Sequence, residues 1–129
     1  MRHAKSSWSD SSASDYERTL NQRGLRDAPR MAQFVAAQGW QPDLIAASSA
    51  KRAKLTAELF VENCDGVEPS QLDLVDEFYH AGPEIYLNYL AKITDPDIKT
   101  VMVVGHNPGL EGLVYRLSGQ MESMPTAAI

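Results

Sequence analysis

Thr100-Val101-Met102-Val103-Val104-Gly105-His106-Asn107-Pro108-Gly109 is the stretch that decides the fold. Its first five residues are β-branched or apolar without alternation, the pattern of a strand covered on both faces. Pro108 and Gly109 then lead into Leu110, Leu113, Val114 and Leu117, which recur at helical spacing. Working upstream, Pro42-Asp43-Leu44-Ile45-Ala46-Ala47 is a second short apolar run. It ends in Ser48-Ser49, and Lys51 to Asn63 resumes helical spacing through Leu55, Leu59 and Phe60. Between the two units Pro83 opens a helix carrying Ile85, Leu87, Tyr89, Leu90 and Ile93, broken at Thr94-Asp95-Pro96. Before them, Asn21 to Gln38 places Leu25, Ala28, Ala32, Val35 and Ala36 near helical spacing, and Gly39 stops the helix. Two strand-turn-helix units joined by helices predict a three-layer α/β/α fold with a mostly parallel central sheet.

The chain has 129 residues, 43% of them apolar, which fits a single domain over residues 1–129. With 12 Lys and Arg against 17 Asp and Glu the formal charge is −5, so neither an extended nucleic-acid footprint nor bulk polyanion binding is expected. The single cysteine, Cys64, excludes an internal disulfide and a cysteine-based zinc site. No apolar run reaches the roughly 18 residues of a membrane span, and the start lacks the apolar core of a signal peptide, so a cytoplasmic protein without membrane partners is expected. Ser9 to Ser14 is small and polar and reads as a mobile loop.

In a parallel sheet, ligands bind beyond the carboxyl ends of the strands. There the first unit supplies Ser48, Ser49, Lys51 and Arg52, and the second Gly105, His106 and Asn107. An imidazole and a guanidinium over helix N-termini make an anion site, with phosphate the natural candidate. Alone, His3 is an unremarkable histidine near a chain start. Arg2-His3 together with Arg52 and His106 gives two guanidiniums and two imidazoles, an assembly explained by a multiply charged anion. A neutral imidazole nitrogen in line with phosphorus can be phosphorylated while arginines offset the charge on the equatorial oxygens.

Arg2-His3-Ala4-Lys5-Ser6-Ser7-Trp8, Asp15-Tyr16-Glu17-Arg18 with Leu20-Asn21-Gln22-Arg23-Gly24, Ser48-Ser49-Ala50-Lys51-Arg52-Ala53-Lys54-Leu55-Thr56-Ala57 and Val104-Gly105-His106-Asn107-Pro108-Gly109 together resemble the histidine phosphatase superfamily. This is the phosphoglycerate mutase-like family, and within it the resemblance is to small bacterial phosphohistidine phosphatases of the SixA type. It covers nearly the whole chain. The resemblance implies His3 as nucleophile, forming a phosphohistidine intermediate, with Arg2, Arg52 and His106 gripping the phosphoryl group and Ser6 adding a hydroxyl near it. It implies no metal and no cofactor. The implied partner is a phosphorylated protein, such as a histidine phosphotransfer domain, or a small phosphomonoester.

Glu77, in Asp76-Glu77-Phe78-Tyr79-His80, is the first candidate for the proton donor, with Asp76 and His80 as alternatives. Asp15, Glu17 and Arg18 read as braces of the loop after the first motif, and Arg23 and Gly24 as shaping the next helix. Tyr79, Tyr86, Tyr89 and Tyr115 fit helix packing better than a stacking platform, and Glu111 complements a helix N-terminus. The family places an apolar central strand directly before Arg-His, where this chain has only Met1, and Met124 to Ile129 reads as the entry to a further strand. The expectation is therefore a domain lacking the first strand and the C-terminal end. A catalytically idle phospho-binding domain and a mutase are the rival readings. A three-histidine metal hydrolase is weaker, because His3, His80 and His106 lack ligand spacing.

Overall fold

The computed structural model describes residues 1–9 and 11–129. In chain order the elements are α1 (Gln22–Gln38), β1 (Leu44–Ser48), α2 (Lys51–Asn63), β2 (Leu72–Val75), α3 (Pro83–Leu90), β3 (Val101–Val104) and α4 (Gly109–Ser118), with short 3₁₀ turns at Pro69–Gln71 and Asp76–Phe78. Local chemistry sets the helix ends. Asn21 caps α1 by accepting from the Gly24 N–H at 3.0 Å, and Gly39 closes it in the left-handed region at φ 71°. Pro83 stands in the first turn of α3, where its missing N–H costs nothing, and Gly119 at φ 74° ends α4.

The three strands are all parallel in the order β2-β1-β3. Ile45 and Ala47 of the central strand join Ala28, Ala32, Val35, Ala53, Ala57 and Phe60 in one core cluster, which belongs to α1 and α2. Ala46, one residue out of phase, joins Phe78, Tyr86, Val103, Leu110 and Leu113 in another, which belongs to α3 and α4. This strand alternation with apolar residues on both sides is what creates three layers, helices over each face of the sheet.

Strand β2, Leu72-Asp73-Leu74-Val75, was not expected; it is an edge strand whose Asp73 and Leu74 are exposed, so its apolar signal is weak. Leu25 and Leu117, expected on apolar faces, are 42% and 66% exposed, and Gly24 takes the buried position in the first turn of α1. Helix α3 ends at Leu90, and its buried residue is Tyr86 rather than Ile85. Within 9–14, Asp10 lies outside the described residues, and Ser11 and Ser12 form a turn.

Residues 1–3 run along the outer edge of β3. Gly105 N–H donates to Met1 O at 3.2 Å, His3 N–H donates to Gly105 O at 3.1 Å, and Arg2 makes a parallel bridge to Gly105. On its other side Arg2 N–H donates to Ala128 O at 2.9 Å, and Ala127 N–H returns to Arg2 O at 3.2 Å. Thr126 and Ala127 form a turn, with Ala127 at φ 66°, where the sequence predicts the entry to a strand. Among the described residues, no helix is long and apolar enough to cross a membrane.

Candidate active site

The carboxyl ends of β1 and β3 converge on a cavity of about 390 Å³. Arg2 and His3 enter it from the segment bridged to Gly105, Ser6 from the same segment, Arg52 from the first turn of α2, and His106 from the turn after β3. A larger hollow of about 610 Å³ lies against α4, lined by Pro108, Glu111, Gly112, Tyr115 and Met121 among others. It holds no histidine and no arginine. The smaller cavity is therefore the candidate site.

His3 is 8% exposed, and its Nδ1 sits 2.8 Å from the Ala4 carbonyl oxygen. A carbonyl only accepts, so Nδ1 carries the proton and the lone pair sits on Nε2. Arg52 Nε donates to that Nε2 at 3.4 Å. The His106 ring lies 5.1 Å from the His3 ring, centroid to centroid, with its Nε2 2.9 Å from Ser48 Oγ and its Nδ1 buried without a partner. Burial pulls the His3 pKa down to about 4; the Ala4 hydrogen bond raises it, and the charges of Arg52, Arg2 and Arg18 lower it further. Burial again, then His3 and Arg52, take His106 to about 3. Both rings are neutral at neutral pH.

The arginines surround this pair. Arg2 Nη1 donates to the Met124 carbonyl at 2.9 Å, and its Nε is buried without a partner. Arg52 Nη2 meets Asp15 Oδ2 at 2.9 Å, and its Nη1 donates to the Asp15 carbonyl. Arg18 reaches Asp15 Oδ1 at 2.7 Å, Ser6 Oγ at 2.5 Å and the Ser7 carbonyl at 3.2 Å, with its guanidinium over the Trp8 ring. The Tyr79 hydroxyl adds a third side-chain donor to Asp15 at 2.9 Å. Desolvation raises the Asp15 pKa, but hydrogen bonds from Tyr79, Arg18 and Arg52 outweigh it and hold the carboxyl down to about 2.

The proton-donor candidates separate. Glu77 is exposed on the 3₁₀ turn Asp76–Phe78 and does not line the cavity, and Asp76 does not line it either. Thus Glu77 stands apart from the residues it was expected to join, because the 3₁₀ turn buries Phe78 and leaves both acids facing solvent. His80 does line the cavity: the backbone turns through φ 55° there and lays the ring against Tyr79 at 4.0 Å between centroids. Asp15 and Arg18 line it as well, and Ser48 Oγ hydrogen-bonds His106 Nε2. The sequence reading gave that pair only a bracing role. Their spacing of three residues carries the ion pair but not the side on which the cavity lies. Among the described residues, no group of three or more His, Cys, Asp or Glu is arranged to hold a metal.

Residues 1–82 match the family described as the histidine phosphatase superfamily, branch 1. An uncharacterized chloroplastic protein of Arabidopsis thaliana is 35% identical over 98% of this chain and 61% of its own length, so the chain spans about three fifths of that relative. The crystal structure of SixA from Agrobacterium tumefaciens superposes with a TM-score of 0.82 at 32% identity, covering 93% of this chain and 75% of that one. The protein histidine phosphatase SixA complexed with tungstate gives a TM-score of 0.86 at 25% identity, covering 98% and 80%.

Proposed function

Because the chain belongs to the histidine phosphatase superfamily, we propose that it is a phosphatase that removes the phosphoryl group of phosphohistidine in a protein through a phosphoenzyme formed on His3. One observation carries this reading: the Ala4 carbonyl holds His3 Nδ1, which leaves a neutral Nε2 lone pair in a cavity lined by Arg2, Arg18 and Arg52. The guanidiniums provide the positive charge that an incoming phosphoryl group needs. The substrate class is supported by likeness to the SixA protein histidine phosphatase, whose complex with tungstate holds a tetrahedral oxyanion.

In the first step His3 Nε2 forms a bond to phosphorus as the bond from phosphorus to the leaving imidazole nitrogen breaks. The leaving group takes a proton, for which His80 is the group on the cavity wall. Water then attacks phosphorus, its proton returns to His80, the P–Nε2 bond breaks with its electron pair going to Nε2, and inorganic phosphate and neutral His3 are released. Arg2 and Arg52 offset charge on the equatorial oxygens throughout.

Phosphoenzyme trapping tests the reading. A reactive phosphodonor should leave acid-labile, alkali-stable phosphate on the parent chain and none on His3→Ala. Label that persists in His3→Ala removes His3 as nucleophile. Phosphate binding by a folded parent that never becomes labelled favours the idle binding domain instead.

A further inference from the structure

Ser48 closes β1 fully buried, with its Oγ 2.9 Å from Nε2 of His106. The same oxygen accepts from the Ala50 backbone N–H at 3.3 Å. A hydroxyl has one hydrogen and two lone pairs. With Ala50 donating to the oxygen, His106 Nε2 is the acceptor that the Ser48 hydrogen meets among the described residues. The reverse assignment, with Nε2–H donating to Oγ, leaves two buried groups without partners, the serine hydrogen and the Nδ1 lone pair. The forward one leaves a single group, Nδ1–H. Buried polar groups are rarely orphaned, so the assignment with fewer orphans holds.

We infer that Ser48 is a positioning residue that fixes His106 as its neutral Nδ1–H tautomer, so that His106 serves the site as a hydrogen-bond donor to phosphoryl oxygen and not as a second nucleophile. The inference rests on reading the cavity as a phosphoryl site. It assigns opposite uses to two adjacent imidazoles in the same tautomer. In His3 the N–H is tied to the Ala4 carbonyl, and the lone pair, met only by Arg52 Nε at a long 3.4 Å, serves phosphorus once that contact gives way. In His106 the lone pair is tied to Ser48 and the N–H is left over, in a ring 6% exposed. An uncharged donor beside three arginines adds a hydrogen bond without further cationic repulsion.

Nitrogen-15 NMR of the imidazoles at pH 7 decides the point on the unsubstituted chain, with His106 assigned by its absence in His106→Gln. The expected spectrum has a pyridine-like Nε2 and a pyrrole-like Nδ1 for His106. A pyrrole-like Nε2 overturns the inference whatever the activity. In Ser48→Ala the His106 signals should move toward the other tautomer while those of His3 stay, and affinity for inorganic phosphate should drop roughly tenfold. An unchanged His106 tautomer in that variant also overturns it. If the parent shows the expected tautomer but phosphoenzyme trapping fails, the phosphatase reading falls and the tautomer assignment stands.

Discussion

The Asp15 carboxylate occupies Arg52 Nη2 at 2.9 Å and Arg18 Nη1 at 2.7 Å, so a phosphoryl group that takes those donors must displace a like charge. The exposures show which partner yields: the Asp15 side chain is 42% exposed and the Arg52 side chain 7%. The carboxylate can swing into water; the guanidinium cannot. Asp15→Asn, which keeps an acceptor but removes the charge, should therefore bind inorganic phosphate about three- to tenfold more tightly at pH 7 by calorimetry. Weaker binding would mean that orienting Arg52 matters more than competing for it. A second prediction follows from His3. With its pKa at about 4, the ring is neutral well below pH 6, so the acid limb of kcat/KM should lie near pH 4. A limb near 6.5 would contradict burial as the dominant influence on the ring. Arg52 and His106 were legible because each stands just past a readable strand. Glu77 lies off the cavity wall, a placement its sequence does not reveal, because a loop acid carries no periodicity and the side it faces depends on the 3₁₀ turn that buries Phe78.

At the scale of elements, α1 is coupled to the first motif through Gly24. A Cβ there would fall on the Lys5 carbonyl oxygen, which already accepts from the Asn21 N–H at 2.9 Å. Alanine inside a helix gains up to about 1 kcal/mol over glycine, but the obstacle is main chain and cannot rotate away. Collision should win, leaving Gly24→Ala destabilised by about 2 kcal/mol and shifting the segment that carries His3 and Ser6. Thermal unfolding should show a fall of several degrees, accompanied by weaker phosphate binding. A raised Tm would show that the segment gives way freely. Helices α1 and α2 and strands β1 and β3 were legible for a physical reason: caps, glycine stops and continuous apolar runs are local signals. Strand β2 was not, since Leu72-Asp73-Leu74-Val75 becomes a strand by pairing with β1, a contact between residues 27 positions apart such as Ile45 and Leu72.

For the whole molecule, two buried neutral imidazoles tie stability to pH. In the unfolded chain each histidine takes a proton near pH 6.5, whereas folded His3 waits until about 4 and folded His106 until about 3. Above 6.5 both states are neutral at these sites and the pair contributes nothing to the pH dependence. Between 6.5 and 4 the unfolded chain binds more protons than the folded one, so stability falls as pH falls. Each unit of separation is worth about 1.4 kcal/mol, which puts the loss on the order of 3 kcal/mol or more, a large share of a typical 5–15 kcal/mol. Asp15 acts in a different window: its folded pKa of about 2 lies below its ordinary 3.8, so its contribution is lost only as pH drops below that value. Urea unfolding at pH 7 and pH 4.5 separates these sources, because Asp15 remains ionised in the fold at both. The parent should lose stability between the two conditions, and a His3→Gln, His106→Gln double variant should lose much less, whatever its absolute stability at pH 7. Equal losses in parent and double variant would place the acid sensitivity elsewhere and break the link between the neutral histidine pair and the folded state.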